Sequence, residues 1–232
     1  MEITDENIKT LLRSELFFDM SDKEVKILAS VMDFTLKSFT KGEQIISEGE
    51  QNDEVFVVLS GGATGERNMS DGRTFIVNEL TAGGVFGDVL SGSSALSPVD
   101  IVATEACTTL SFKLSNILTA CERCGEAKQK LLRNFILAIS DKYFALNRRV
   151  RLLEKKSVRG KISLYLMDIY NKKKEKQFVV PHSREEQACY LGCERSALSR
   201  ELSRMKAQGL IDFQKNSFRI INLNEVEREA NA

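Results

Sequence analysis

Arginine and serine side chains recur at short intervals near the end of the chain. Arg195, Ser196, Ser199 and Arg200 lie within six residues, and Arg204 follows one helical turn later. An arginine guanidinium can donate two parallel hydrogen bonds to O6 and N7 of guanine, and a serine hydroxyl can contact either a base or a phosphate. We therefore predict that these five residues contact DNA.

The segment that carries these residues has the pattern of a helix-turn-helix. Ser183 and Glu186 have capping-box spacing at the start of the first helix. Ala188 is small where the second helix must cross closely, and Gly192 can adopt the left-handed conformation of a sharp turn. Two leucines are spaced to anchor the second helix in a core: Leu198 and Leu202.

A recognition helix presents its N-terminal residues to base edges in the major groove, which is where Arg195 and Ser196 stand. We add Ser183 and Arg184, at the start of the first helix, to the predicted DNA-binding set. The alternative is a plain helical hairpin with surface arginines.

Charge is unevenly distributed along the chain. Residues 1–147 hold 14 basic and 22 acidic side chains, whereas residues 148–232 hold 19 and 11, so the net charge of zero conceals an asymmetry. A basic segment joined to an acidic one is typical of a polyanion-binding domain attached to a separate sensor or scaffold. The alternative is a chance segregation of solvated charge.

Short apolar runs separated by glycines characterise much of the chain before the basic segment. Residues 33–112 contain short apolar runs, such as 54–59 and 73–77, separated by glycines at intervals of about ten residues. Short strands with frequent turn residues predict a β-sandwich or jelly roll.

Residues 158–170 are predicted as a helix. They precede a strand (177–180), the helix-turn-helix and two further strands (210–213 and 218–221), an order that predicts a winged helix-turn-helix.

Residues 126–155 contain neither glycine nor proline and predict one long helix. Apolar residues recur in it about every 3.5 positions, which is the spacing of a coiled-coil seam: Leu132, Phe135, Ile139, Tyr143, Leu146, Val150 and Leu153. A helix of this length extends beyond a small barrel, so we expect a parallel homodimer. The alternative is an ordinary amphipathic helix that lies on the sheet.

The predicted fold is therefore α+β. It comprises a jelly-roll (double-stranded β-helix) sensor domain at residues 1–125, a dimerisation helix at 126–156 and a winged helix-turn-helix domain at 157–232.

The chain resembles the Crp/Fnr superfamily of bacterial transcription regulators over essentially its whole length. The resemblance rests on the sequence motifs of the predicted sheet at 49–61 and 84–88 and on the long helix. Its most specific part is residues 195–200, Arg-Ser-Ala-Leu-Ser-Arg. It implies that Arg195, Ser196 and Arg200 fall where family members contact bases. Where the cyclic-AMP receptor has a glutamate between its two arginines, this chain has Ser196, so we expect a different DNA site.

The cyclic-nucleotide members of that family hold the phosphate in a loop with backbone N–H groups and an arginine. Ser97 and Pro98 stand where an Arg-Ser pair would be, and the sequence has no arginine between Arg73 and Arg123. A buried phosphate without a cation is costly, so cyclic AMP is not the expected ligand. Asp88 could still accept from a ribose hydroxyl. The candidate pocket residues are Gly87, Asp88, Val89, Ser97 and Asn147.

The cysteines disfavour a metal or cluster site. The iron–sulfur members of the family need a cysteine cluster near the N-terminus, and the first 106 residues contain none. Cys121 and Cys124 could supply half of a zinc, cluster or redox site, although incidental thiols are the favoured interpretation. Cys107, Cys189 and Cys193 are expected to be small buried residues.

No haem, iron–sulfur cluster or cyclic AMP is favoured as a cofactor, and no metal site is predicted. With one histidine and no visible nucleophile–base pair, we expect no catalytic residues and no enzyme activity.

The sequence thus predicts a cytoplasmic, homodimeric transcription regulator that binds a double-stranded DNA operator and responds to a small-molecule or redox signal. Contact with RNA polymerase is implied by the family resemblance. No membrane partner is expected, because no apolar run approaches the ~20 residues that cross a bilayer. The alternative is a small-molecule binding module that does not regulate DNA.

Overall fold

The computed structural model describes residues 3–68, 74–91, 95–119, 125–180 and 182–231. The chain forms two compact units, residues 1–142 and residues 143–232. The boundary between the two units falls inside the long helix, and the predicted domain limits stay a prediction. The second unit carries 19 basic and 11 acidic side chains, so the whole basic excess lies in it.

The first unit is a jelly roll of two four-stranded antiparallel sheets, with strand orders β1-β8-β3-β6 and β2-β7-β4-β5. Its strands are β1 (Thr35–Phe39), β2 (Gln44–Ile46), β3 (Glu54–Ser60), β4 (Ala63–Asn68), β5 (Thr74–Leu80), β6 (Val85–Phe86), β7 (Asp100–Ala103) and β8 (Cys107–Lys113). Its helical segments are α1 (Asp5–Leu11), a 3₁₀ turn (Glu15–Phe17), α2 (Asp22–Val31), α3 (Asp88–Ser91), α4 (Leu114–Thr119) and the first part of α5 (Gly125–Glu154).

Both faces of strand β3 are buried, which explains why every residue of the run at 54–59 after Glu54 is apolar. Val55, Val57 and Leu59 face a core shared with α1, α2 and α5, whereas Phe56 and Val58 face the space between the two sheets. A strand whose two faces are both buried needs no polar alternation. Gly61, at the end of this strand, has φ 73°, and a Cβ there would lie 2.1 Å from the carbonyl oxygen of Ala106, so only glycine fits the turn.

Helix α5 forms as predicted, but only part of the predicted seam is exposed. Leu131, Phe135 and Ala138 are buried in the first unit's core, and Leu132 and Ile139 pack against the same core. This part of the helix therefore follows the alternative interpretation, an amphipathic helix on the sheet. The exposed seam residues come later in the helix: Tyr143, Leu146, Val150 and Leu153.

The second unit is a winged helix-turn-helix with a single core. Its elements after α5 are α6 (Val158–Lys173), β9 (Gln177–Val179), α7 (Arg184–Leu191), α8 (Arg195–Ala207), β10 (Ile211–Gln214), β11 (Ser217–Ile220) and α9 (Leu223–Asn231). The three strands form one antiparallel sheet in the order β10-β11-β9. Helix α9 was not predicted. Asn222 accepts a hydrogen bond from the Glu225 amide at its start, and Val226 and Ala230 bury its inner face.

Among the described residues, no helix combines the length and the apolar composition that a membrane span requires.

Candidate nucleic-acid interface and sensor pocket

Helix α8 presents the predicted DNA-contacting side chains on one exposed face. Arg195, Ser196, Ser199, Arg200 and Arg204 are all exposed. The opposite face is buried in the core of the second unit through three residues: Leu198, Leu202 and Met205. The structure therefore brings the five residues together on the side of the helix that the core does not use.

The corner between α7 and α8 has the predicted geometry. Ser183 and Glu186 form a complete capping box at the start of α7, so both orphan donors there are satisfied. Gly192 caps the end of α7 with φ 57°, and Ala188 is buried where the helices approach. Glu194 occupies the N-cap of α8 and forms no side-chain cap bond with the described residues.

The arginines of α8 differ in their partners. Arg195 lies 3.6 Å from Glu185, and Arg204 lies 3.5 Å from Glu201. Exposed ion pairs of this kind contribute about 0–1 kcal/mol to the free energy of unfolding. Within the part of the chain that the structure describes, the Arg200 side chain forms no hydrogen bond or ion pair. All three guanidinium groups can therefore be redirected to a DNA partner at little cost.

A less exposed ion pair, which sequence reasoning missed, fixes the orientation of α8. The Arg159 guanidinium on α6 donates to Glu201 on α8 at 2.7 Å and lies 3.6 Å from Glu229 on α9. The hydrogen bond to Glu201 raises the pKa of Arg159. The partners are 42 residues apart in sequence, so no local pattern signals the pair.

The end of α5 is joined to α7 within the second unit. The Arg149 guanidinium lies over the Tyr190 ring, 4.5 Å from its centroid, and donates to the Cys189 carbonyl oxygen at 3.3 Å. His182, in the loop before α7, stacks on the Tyr190 ring, and its Nδ1 atom lies 3.2 Å from the Tyr165 hydroxyl. Burial raises the pKa of Tyr165 above its ordinary value.

Arg184 is only half-exposed, unlike the arginines of α8. Its guanidinium donates to Gln187 Oε1 at 2.6 Å and to the Lys215 carbonyl oxygen at 3.0 Å. Burial lowers its pKa. Ser183 is exposed, and its hydroxyl accepts from the Glu186 amide at 3.3 Å. DNA contact by Ser183 and Arg184 stays a prediction.

In the first unit, the turn before α3 carries the central residues of the predicted pocket. Gly87 has φ 75°, and a Cβ there would lie 2.5 Å from the Glu54 carbonyl oxygen. Asp88 follows and is only 3% exposed. Its two carboxylate oxygens accept from Lys142 Nζ at 2.7 and 2.6 Å. Lys142, on α5, is the cation that sequence reasoning missed, because 54 residues separate it from Asp88.

The remaining predicted pocket residues differ in their surroundings. Ser97 is buried, and its hydroxyl donates to the Val99 carbonyl at 2.7 Å, so it serves its own loop. Its backbone pairs with Gly49 and Glu50. Val89 is exposed on α3, and Asn147 is half-buried on α5 in the second unit. A ligand-binding role for these residues stays a prediction.

The described cysteines only partly follow expectation. Cys107 is buried in β8, as predicted, and burial raises the pKa of its thiol. Cys189 is exposed and Cys193 is half-buried, so the prediction that both are buried is wrong. Helix α7 buries Gln187, Ala188 and Leu191 instead, and position 189 points about 100° away from position 188. Cys121 and Cys124 lie outside the described residues.

Comparisons with known proteins agree with both units. The cyclic nucleotide-binding domain family matches residues 36–124, and the Crp-like helix-turn-helix domain family matches residues 160–229. The transcriptional activator protein FnrL of Cereibacter sphaeroides is 28% identical over 184 residues, which cover 75% of this chain and 71% of FnrL.

Solved structures share the fold at low identity. A CooA mutant from Carboxydothermus hydrogenoformans has a TM-score of 0.60 at 18% identity, with 99% of this chain and 98% of that chain covered. The catabolite activator protein of Thermus thermophilus has a TM-score of 0.55 at 18% identity, with 94% and 99% covered. With a sensor-type jelly roll, a long helix and a winged helix-turn-helix in this order, the chain belongs to the Crp/Fnr superfamily of transcription regulators.

We predict that Lys142→Met lowers the melting temperature, because it leaves the Asp88 carboxylate buried without its cation. The expected cost is about 1–3 kcal/mol. That is less than the 3–5 kcal/mol of a fully buried pair, because the Lys142 side chain is itself 38% exposed. The double variant Asp88→Asn/Lys142→Met should recover most of the loss, since it removes both charges.

Lys113→Met is the matched control for thermal unfolding. It breaks the exposed Lys113–Asp53 pair of the same unit and should cost less than about 1 kcal/mol. A Lys142→Met protein as stable as this control would contradict the importance of the Asp88 pair.

Proposed function

We propose that this protein is a sequence-specific DNA-binding regulator that acts as a homodimer in the bacterial cytoplasm. Each copy inserts α8 into the major groove, where Arg195, Ser196 and Arg200 contact bases while Ser199 and Arg204 lie beside them. The observation that carries the proposal is the exposed arginine–serine face of α8, opposite a face that is wholly committed to the core. Two such helices, related by a dimer axis, fit half-sites whose centres are about 10 base pairs apart.

The basic excess of the second unit supports the same function. Residues 148–219 hold 18 basic and 8 acidic side chains. Lys and Arg that neutralise DNA phosphates release counterions, so affinity falls steeply with salt, by a log–log slope of about −0.9 per phosphate.

The dimer is supported by the exposed part of α5. Tyr143 and Val150 are seven residues apart, as are Leu146 and Leu153, so the four residues occupy the a and d positions of a heptad repeat. All four are exposed in the single chain. A second copy of the helix, in parallel, would cover them.

We further propose that the first unit senses a small molecule or a redox change other than cyclic AMP, and that the signal shifts the population of dimers toward the one whose recognition helices fit DNA. Three features support the exclusion of cyclic AMP. The Asp88 carboxylate is already paired with Lys142, Ser97 serves its own loop, and no arginine occurs between Arg73 and Arg123. RNA polymerase is the proposed partner on DNA.

The first prediction of this proposal concerns specificity. Arg195 and Arg200 differ by about 140° around the helix axis, so they should contact different base pairs. Arg200→Ala should cost about 1–3 kcal/mol and relax the preference at one base pair per half-site. Selection from random duplex DNA with wild type and variant measures this. Arg228→Ala removes an exposed arginine of α9 and should leave the preferences unchanged. Identical preferences for wild type and Arg200→Ala would contradict the assignment of Arg200 to a base.

The second prediction concerns assembly. Leu146 is 63% exposed, so Leu146→Asp changes the seam without disturbing either core. Sedimentation should then show monomers, and DNA affinity should fall in parallel, because one copy cannot contact two half-sites. Ala145→Asp introduces the same charge at the adjacent exposed position outside the seam and should stay dimeric. A dimeric Leu146→Asp protein would show that the seam is not the interface.

The third prediction concerns the signal. Millimolar cyclic AMP should not change the melting temperature, because a ligand raises it only if it binds the folded state. A concentration-dependent rise would reverse our interpretation of the Asp88 turn.

A further inference from the structure

The wing turn between β10 and β11 places one of its residues, Lys215, in an unfavourable backbone conformation. Gln214 pairs with Ser217, so only Lys215 and Asn216 form the turn. Lys215 has φ 50°, in the left-handed region that a residue with a Cβ seldom adopts. Such a residue persists only where its surroundings hold it in place. A contact from a neighbouring element to the backbone of this turn therefore helps to hold the conformation.

Arg184, at the start of α7, supplies one such contact. Its guanidinium donates to the Lys215 carbonyl oxygen at 3.0 Å while it also donates to Gln187 Oε1 at 2.6 Å. Gln187 is itself buried and donates to the His182 carbonyl oxygen at 2.8 Å. The planar fork of arginine thus connects a fixed side chain of α7 with the backbone of the wing turn through two separate nitrogens, whereas a lysine offers a single nitrogen on a flexible stem.

The same guanidinium packs on the two aromatic residues of the wing. Phe213 and Phe218 are cross-strand neighbours whose ring centroids are 5.7 Å apart. The Arg184 guanidinium carbon lies 5.3 Å from one centroid and 5.4 Å from the other, within cation–π range. From α8, Lys206 Nζ contacts the Phe213 ring at 5.4 Å and Asp212 at 2.5 Å. Both helices of the helix-turn-helix therefore hold the wing through a cation.

We propose that Arg184 is a positioning residue for DNA binding: it holds the wing turn against α7 so that the exposed Lys215 side chain reaches a DNA phosphate. This inference rests on the proposed function. It assigns the guanidinium of Arg184 to the protein's own wing and the phosphate contact to Lys215. Lys215 is exposed at the tip of the hairpin, whereas Arg184 is half-buried beneath it.

The experiment measures affinity against salt concentration, on a duplex selected from random DNA by the wild type. The variants are Arg184→Met, Lys215→Met and the double variant. Either single variant should weaken binding about 30-fold at 0.15 M salt and reduce the log–log slope by about 1.8, since each copy of the dimer loses one phosphate contact. The double variant should bind no more weakly than either single variant.

Arg184→Lys keeps the positive charge but loses the fork, and Arg228→Met is the matched control for a lost charge. We expect Arg184→Lys to bind as weakly as Arg184→Met, and Arg228→Met to bind as the wild type does. Arg184→Lys also tests the proposal if Arg184→Met fails to fold.

Additive losses in the double variant, wild-type affinity of Arg184→Lys, or an unchanged slope in Lys215→Met would each overturn the inference. A wild-type protein that enriches no duplex would instead contradict the proposed function itself, so the two failures are distinguishable.

Discussion

The burial of one apolar face of α8 is the constraint on which the candidate interface depends. Burying a leucine or methionine side chain stabilises the fold by about 1.5–3 kcal/mol, and α8 buries Leu198, Leu202 and Met205. The surface pair between Arg195 and Glu185 contributes about 0–1 kcal/mol. The core therefore decides the rotation of the helix, and the exposed arginines follow from it. Arg159 limits that rotation further, because it joins Glu201 on α8 to α6.

The first unit illustrates the difference between a fold and a ligand. Its sequence matches the cyclic nucleotide-binding domain family over residues 36–124. However, the carboxylate that follows the turn glycine is neutralised by a lysine of the same chain, Lys142. A buried carboxylate needs a cationic partner, and here that partner is a side chain of the same protein, Lys142. The match therefore accounts for the jelly roll, and the Asp88–Lys142 pair is one of the features that support our proposal of a ligand other than cyclic AMP.

Local patterns predicted most of the fold. The capping box at Ser183, the left-handed Gly192 and the helical spacing of Leu198 and Leu202 are each encoded within a few residues, and all form. The pairs that join distant segments, such as Asp88 with Lys142, leave no local signal because either partner alone resembles an ordinary surface charge. Helix α9 was missed for a different reason, since its apolar face consists of little more than two residues, Val226 and Ala230.

In the long helix α5, one regular spacing of apolar residues runs through two environments, a buried one in the core of the first unit and an exposed one further along. Residues 131–139 contain apolar side chains at most positions, and the first unit's core buries Leu131, Phe135 and Ala138 among them, while Ile136 and Leu137 stay exposed. From Tyr143 to Leu153 the a and d residues of the seam are exposed in the single chain. The period of the apolar residues is the same in both parts, so the period alone does not separate a helix that packs on a sheet from one that pairs with its own copy. Because Arg149 on this later part of α5 also contacts α7, the surface that we assign to the dimer is joined directly to the helix-turn-helix that it must orient.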